Sequence, residues 1–234
     1  MIMCGGDEAG RGALVGPLVI ALVSMKKSMI YKLPELGVRD SKLLSSKRRE
    51  QLYDSIMDIA EEVNIGKITP GEINDAMRSN ISLNELEAIH FARLFDKSKI
   101  PIDALYLDSP DVIQEKFGIR INMLSVKPTL ILGMKRSGAQ QKSTKVISEH
   151  KADSRYPVVS AASIIAKVER DKEIRKLSKS LKIDIGSGYP SDYKTIDSIR
   201  NNIKNENLNK YVRAYWKTID NIKQTKLFDL HQDD

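Results

Sequence analysis

The sequence predicts an α/β fold whose sheet lies in the first two-thirds of the chain, followed by a helical C-terminal region beginning near residue 185. Three observations predict it. Apolar runs of strand length recur up to residue 148, several of them leading into an acidic residue. Segments with helical periodicity and helix-start signals separate these runs. Beyond Gly186-Ser187-Gly188-Tyr189-Pro190, only helical periodicity remains.

The elements follow in order. Residues 1–6, running into Asp7-Glu8, and residues 13–23 read as a buried strand pair joined by the tight turn Gly10-Arg11-Gly12. Residues 47–63 place Leu52, Ile56, Ile59 and Val63 on one helical face, and 64–68 is a short strand. Thr69-Pro70-Gly71-Glu72 has capping-box spacing with Pro at the first helical position. Ser82-Leu83-Asn84-Glu85 repeats that spacing ahead of Leu86, Ile89 and Leu94. Residues 104–107 form a strand ending at Asp108, and 146–148 a strand followed by His150-Lys151-Ala152-Asp153. Residues 158–181 read as one long helix that buries Ile164, Ile165, Val168, Ile174 and Leu177. The loop 186–190 cannot continue it, because Pro and two Gly break the helical ladder. Tyr193, Ile196, Ile199 and Ile203 then make one helix face, Val212, Tyr215, Ile219 and Ile222 another, and the tail from Leu227 frays.

Composition narrows the function. A chain of 234 residues with 41% hydrophobic and 29% charged residues is that of a soluble globular protein. The longest apolar run, 13–23, is too short for a bilayer and contains Gly16-Pro17. Asp7 and Glu8 stand where a secretory leader would need its apolar stretch. Cys4 is the only cysteine, which excludes an intramolecular disulfide and a multi-cysteine zinc site and fits a reducing cytoplasm. The net charge is +7, and it is uneven: residues 1–141 carry 19 basic against 18 acidic side chains, residues 142–234 carry 19 against 13. A C-terminal basic excess points to a polyanion, either nucleic acid or an anionic membrane surface, and is equally consistent with a lysine-rich solvated face. Lys194, Arg200, Lys204, Lys210, Arg213, Lys217, Lys223 and Lys226 interleave there with Tyr211, Tyr215 and Trp216, a mixture suited to a duplex backbone.

Four acids share a setting: Asp7 and Glu8 after the first strand, Asp108 at the end of another, Asp153 shortly after a third. If those strands are neighbours, their carboxylates converge on one sheet edge. Their mutual repulsion then calls for hard divalent cations, and oxygen-only ligands favour Mg²⁺ or Mn²⁺ over zinc. Two such ions form the clamp used for in-line displacement at phosphorus. The competing reading is that each acid is a helix cap or turn former. The turn Gly10-Arg11-Gly12 is too short of Lys and Ser/Thr for a phosphate-binding loop, but it leaves main-chain groups open to a ligand, and a 2′-hydroxyl is both donor and acceptor.

At these residues the sequence resembles the ribonuclease HII family, the type 2 ribonucleases H, most closely its archaeal members. The resemblance is carried by Asp7-Glu8-Ala9-Gly10-Arg11-Gly12, Asp40-Ser41-Lys42-Leu43 and Leu107-Asp108. It continues through His150-Lys151-Ala152-Asp153, the run from Tyr156 to Lys167, and Gly186-Ser187-Gly188-Tyr189-Pro190-Ser191-Asp192. It spans residues 5–192, and the last forty residues match loosely. It implies a ribonuclease H-like mixed five-stranded sheet flanked by helices, with a catalytic domain over 1–185 and a C-terminal helical substrate-binding extension over 186–234. The implied activity is an endoribonuclease that cuts the RNA of RNA–DNA hybrids. It also cuts 5′ of single ribonucleotides embedded in duplex DNA, leaving 3′-hydroxyl and 5′-phosphate ends.

On the same grounds Asp7, Glu8, Asp108 and Asp153 carry over as catalytic ligands of two Mg²⁺ or Mn²⁺ ions. Gly10, Arg11 and Gly12 carry over as the reader of the 2′-hydroxyl, and Tyr189 as the residue that senses the RNA–DNA junction. Lys42 and Lys151 are expected phosphate contacts. Asp111, just beyond Asp108, competes for that place in the metal set, and 127–142 is longer and more irregular than the resemblance leads one to expect. His90 is expected to be a partly buried helix residue and Cys4 a buried strand residue. No membrane and no small-molecule cofactor are expected, and the chain is expected to be a cytoplasmic monomer. Gln224-Thr225-Lys226-Leu227-Phe228 is faintly like a peptide that docks on a replication clamp. A DNA-only nuclease of the same fold, or a non-catalytic nucleic-acid-binding module, would be the alternatives. The first has no 2′-hydroxyl to read, and the second has no need of all four acids.

Overall fold

The computed structural model describes residues 1–38, 44–127, 129–131, 134–135 and 143–230. Its seven strands are β1 (Ile2–Ala9), β2 (Leu18–Lys26), β3 (Glu62–Ile68), β4 (Ala104–Asp108), β5 (Thr129–Ile131), β6 (Met134–Lys135) and β7 (Thr144–Glu149). They lie in one mixed sheet in the order β3-β2-β1-β4-β7-β5-β6. The expected five strands are β3-β2-β1-β4-β7, and the short antiparallel pair β5-β6 extends them at one edge. β1 is antiparallel to β2 and parallel to β4, and β4 is parallel to β7.

Helices α1 (Lys27–Ile30), α2 (Lys32–Leu36), α3 (Ser46–Ile59), α4 (Pro70–Arg78), α5 (Leu83–Asp96), α6 (Gln114–Leu124), α7 (Ala152–Arg155), α8 (Pro157–Leu181), α9 (Tyr193–Asn201), α10 (Glu206–Asn209) and α11 (Lys217–Leu230) complete the chain. The capping box that opens α4 forms in both directions: Glu72 N–H donates to the Thr69 hydroxyl, and the Glu72 carboxylate accepts from Thr69 N–H at 2.8 Å. α6 was not expected from the sequence, because its buried face is only Phe117, Gly118 and Ile121.

The chain divides into two compact units, one of residues 1–9, 19–66 and 84–168, the other of 10–18, 67–83 and 169–234. The C-terminal helices therefore share a unit with the segment after β1 and with α4, and the division falls inside α8, not in the glycine loop at 186.

In the first unit, α8 is the central support. Residues 158–166 are all buried, so this stretch is covered all round, beyond the Ile164 and Ile165 that the sequence predicts to be buried there. Its small residues Ser160, Ala161, Ala162 and Ser163 permit the close approach, while Val158, Val159, Ile164 and Ile165 each contribute about 1.5–3 kcal/mol by burial. Gly5 on β1 shows how close that approach is: a Cβ there would lie 2.3 Å from the Val158 carbonyl. The adjacent Gly6 looks to the opposite face, toward Leu107, Leu22 and Phe91, and Phe91 packs edge-on to Phe117 at 5.7 Å. In the second unit, Leu14, Val15, Leu177, Ile185, Ile199, Leu208, Val212, Ile219 and Ile222 form a separate core.

Two C-terminal expectations need correction. α9 ends at Asn201, short of Ile203, and Val212 and Tyr215 are not on a helix with Ile219. Val212 makes an antiparallel bridge to Val15, and Asn74 holds the segment open by bonding Val212 O and Ala214 N, both at 2.9 Å. Tyr215 is exposed, not part of an apolar stripe. Because Val158 is backbone that cannot step aside, Gly5→Ala should destabilise the protein by about 2–3 kcal/mol, lowering the thermal midpoint by roughly 5–10 °C in a circular-dichroism melt.

Candidate active site

The parallel alignment of β1, β4 and β7 brings their C-terminal ends to one sheet edge. Gly6 pairs with Leu107, so the next residues, Asp7 and Asp108, stand side by side on neighbouring strands. Asp108 pairs with Glu149, and the chain then turns through His150 and Lys151 into α7, which carries Asp153. Lys151 makes that turn in the left-handed region, at φ 55°. Just beyond it, Ala152 N–H donates to Asp108 Oδ1 at 2.7 Å, which ties Asp108 to the residue preceding Asp153. Asp153 is buried, and its carbonyl accepts the Ser160 hydroxyl. Asp7 is buried as well, with Glu8 N–H donating to its Oδ1 at 2.8 Å. Asp7, Glu8, Asp108 and Asp153 thus all belong to one unit, with Asp7 and Asp108 side by side and Asp153 one residue beyond the backbone N–H that Asp108 accepts.

Burial, reinforced by the neighbouring charges of Glu8 and then Asp108, holds the Asp7 carboxyl well above the usual carboxylate range, and a hydrogen bond from Ser163 only partly offsets this. Among the described residues, no three His, Cys, Asp or Glu side chains close into a finished metal-holding group. The donor chemistry at the edge is carboxylate oxygen throughout, which suits a hard cation such as Mg²⁺ or Mn²⁺. Among the described residues, the softer donors Cys4 and His150 are engaged elsewhere. Cys4 is buried in β1 with its thiol pushed up to about 12 by burial, and the His150 ring engages a main-chain carbonyl.

Asp111 does not join the edge. Its buried carboxylate is paired with Arg120 and accepts from Asn84 Nδ2, and Arg120 reaches Glu85 Oε2 at 3.2 Å. This separate ion pair takes it out of competition with Asp108. Lys151 is exposed, while Lys42 and the whole 40–43 motif lie outside the described residues, as does most of 127–142.

The second unit holds the glycine turn and Tyr189. Gly10 has φ +95°, and a Cβ there would sit 2.5 Å from Arg170 Nε, so both backbone and space demand glycine. Gly12 is exposed and has no atom within 4 Å of where its Cβ would be, leaving the main chain open to a ligand. Leu14 N–H donates to Gly188 O at 2.7 Å, which links this segment to the loop bearing Tyr189. Tyr189 is half-buried, with the Arg170 guanidinium 4.1 Å from its ring centroid and Arg170 Nη2 donating to Ser187 O at 2.9 Å.

Sequence reasoning missed Arg170, and it misassigned Arg213. The latter is fully buried, not on a basic face: its Nε and Nη2 donate to Gly16 O and its Nη1 to Arg11 O at 3.0 Å. A positive residue inside an apolar run, as Arg213 is after Val212, was the available signal. Lys194 is likewise engaged, with Asp184 at 3.1 Å.

Solved structures share this architecture. Ribonuclease H2 from Pyrococcus horikoshii superposes with a TM-score of 0.81 at 36% identity, covering 97% of this chain and 99% of that one. The ribonuclease HII of Archaeoglobus fulgidus, solved as a complex with PCNA, gives 0.77 at 36% identity over 93% of this chain and 96% of that one. Parallel strands that end in carboxylates, on this fold, define a metal-dependent phosphodiester hydrolase of the ribonuclease H class. The ribonuclease HII family profile matches residues 4–219, and ribonuclease HII from Cenarchaeum symbiosum is 41% identical over 93% of this chain and 96% of its own length. The chain belongs to the ribonuclease HII family, whose activity is directed at RNA–DNA hybrids. No described helix is long and apolar enough to cross a membrane.

A raised carboxyl pKa lowers stability as that group ionises. The metal-free protein should therefore lose stability as pH rises above about 4, the unfolded aspartate value, until the higher folded value is passed. Asp7→Asn should remove this fall, giving a higher thermal midpoint than wild type at pH 8 in EDTA and a smaller difference at pH 4.

Proposed function

We propose that this chain incises duplex DNA on the 5′ side of a single embedded ribonucleotide, as well as cutting RNA in hybrids, leaving 3′-hydroxyl and 5′-phosphate ends. The observation that carries this reading is the side-by-side placement of Asp7 and Asp108 on adjacent parallel strands, in a chain that also carries an open glycine main chain at Gly12. Asp7, Glu8, Asp108 and Asp153 are the residues that would hold two Mg²⁺ or Mn²⁺ ions. When bound, such ions supply an activated water and charge stabilisation for in-line displacement at phosphorus.

The chain's own residues do the rest. Asp7 and Asp108, level on adjacent strands, fix the separation of the anionic ligands. The Ala152 N–H holds Asp108 Oδ1 in place. The open main chain at Gly12 offers both donor and acceptor to a 2′-hydroxyl, and Arg11, half-exposed beside it, is placed to meet a phosphate. Tyr189, braced on Arg170, offers its ring to the sugar at the junction. Lys151, and Lys42 in the sequence motif, act as backbone contacts. The 2′-hydroxyl is a recognition handle, not the nucleophile, which fits a site of carboxylates in which His150, three residues before Asp153, is committed to a carbonyl.

The archaeal relative solved with PCNA supports a further part of the reading, a replication clamp docking on the C-terminal helix α11 through 224–228. A cytoplasmic monomer acting in replication and ribonucleotide repair is consistent with all of this.

The test is cleavage of three labelled duplexes: a hybrid, DNA with one ribonucleotide, and all-DNA, each with Mg²⁺, Mn²⁺ or EDTA. Metal-dependent cutting of the first two only, at the 5′ side of the single ribonucleotide, is expected. Asp153→Asn should lower both activities at least a hundredfold, and Tyr189→Ala should cost the single-ribonucleotide substrate about 1–3 kcal/mol of transition-state stabilisation, more than the hybrid. Cleavage of all-DNA at a similar rate would contradict the reading.

A further inference from the structure

Three polar contacts join the end of β4 and the loop after it to the end of β7 and the turn into α7. Ser109 N–H donates to Glu149 O at 3.0 Å, Ala152 N–H to Asp108 Oδ1 at 2.7 Å, and His150 Nε2 lies 2.6 Å from Asp111 O. A main-chain carbonyl only accepts, so in this contact Nε2 carries the ring proton. His150 is fixed at its other end too, since its backbone N–H donates to Gln114 Oε1 at 2.9 Å.

The loop it reaches is itself held firmly. The Asp111 carboxylate is buried against Arg120 and Asn84, and the Gln114 carbonyl collects the Ser109 hydroxyl at 2.9 Å and the Ser148 hydroxyl at 2.8 Å. The arrangement is therefore a post, residues 109–114 clamped by α5 and α6 side chains, and a strut, the imidazole of His150. The strut is anchored three residues after Asp108 and three residues before Asp153. Between the strut and Asp153 lies Lys151, in a left-handed conformation that L side chains adopt reluctantly and that needs holding from both sides.

Carboxylates that repel one another push their loops apart, and a hydrogen bond between the loops resists that. We propose that His150 is a positioning residue: its Nε2–H bond to Asp111 O sets the spacing of the Asp108 and Asp153 loops, and with it the affinity of the carboxylates for a divalent cation. This rests on the reading of those acids as metal ligands. Neither the imidazole nor the Asp111 carboxylate touches the ion in this scheme.

The test is calorimetric titration of Mn²⁺ into the EDTA-stripped full-length chain, with the thermal midpoint of the metal-free protein measured alongside. His150→Ala should weaken Mn²⁺ binding about tenfold, the scale for losing an outer partner of a metal ligand. Loss of the single hydrogen bond should lower its metal-free midpoint by no more than about 4 °C. His150→Gln, whose amide N–H offers a donor at similar reach, should recover binding to within about threefold of wild type. Wild-type affinity in His150→Ala, with binding lost in Asp108→Asn, overturns the role of His150 and leaves the carboxylate reading intact. Wild-type affinity in all variants, Asp108→Asn included, removes that reading and this inference together. Should His150→Ala fail to fold, His150→Gln decides: affinity reduced tenfold or more despite the retained donor overturns the proposal.

Discussion

Parallel alignment of β1, β4 and β7 is the constraint on which everything else depends. Parallel strands end on the same edge, so whatever residue closes each strand is delivered to one place. Here Asp7 and Glu8 stand near the end of β1, Asp108 closes β4, and Asp153 follows β7 by four residues. The cost is visible in Asp7, whose carboxyl is held above its ordinary range by burial and by the charges of Glu8 and Asp108. An arrangement that opposes its own ionisation is poor for stability and well suited to gathering divalent cations.

The surroundings keep the edge rigid without adding charge to it. The buried run 158–166 of α8 presses on β1 so closely that Gly5 has no room for a side chain. The turn into α7 gives one backbone N–H to Asp108, and Asp111, the acid that would have crowded the edge, is neutralised by Arg120. In the other unit, two buried arginines organise the glycine turn and the Tyr189 loop: Arg170 packs against Gly10 and holds Ser187 and Tyr189, and Arg213 holds Arg11 and Gly16. Such guanidiniums are costly to desolvate and repay it by fixing several carbonyls at once.

Much of this was legible in the sequence. The strand-closing acids, the capping box at Thr69, the long helix after Pro157 and the glycine loop are local signals, written in adjacent residues. What stayed hidden depends on distant partners. Val212 and Tyr215 keep helical spacing with Ile219, yet Asn74 and Val15, over a hundred residues away, bond the backbone there and keep it out of a helix. Arg213 reads as a surface cation because its apolar neighbours hint only at burial, while the carbonyls that receive it, of residues 11 and 16, are far away in sequence. The contact of His150 is a main-chain carbonyl that no side-chain pattern can announce. The same holds for Asp111, whose neutralising partner lies nine residues on, in a helix that periodicity failed to reveal.

The most direct examination of the central claim is anomalous diffraction from crystals of the protein grown or soaked with Mn²⁺. The account predicts manganese peaks bounded by the carboxylates of Asp7, Glu8, Asp108 and Asp153. Manganese bound elsewhere, with those four side chains turned away from any ion, would contradict it.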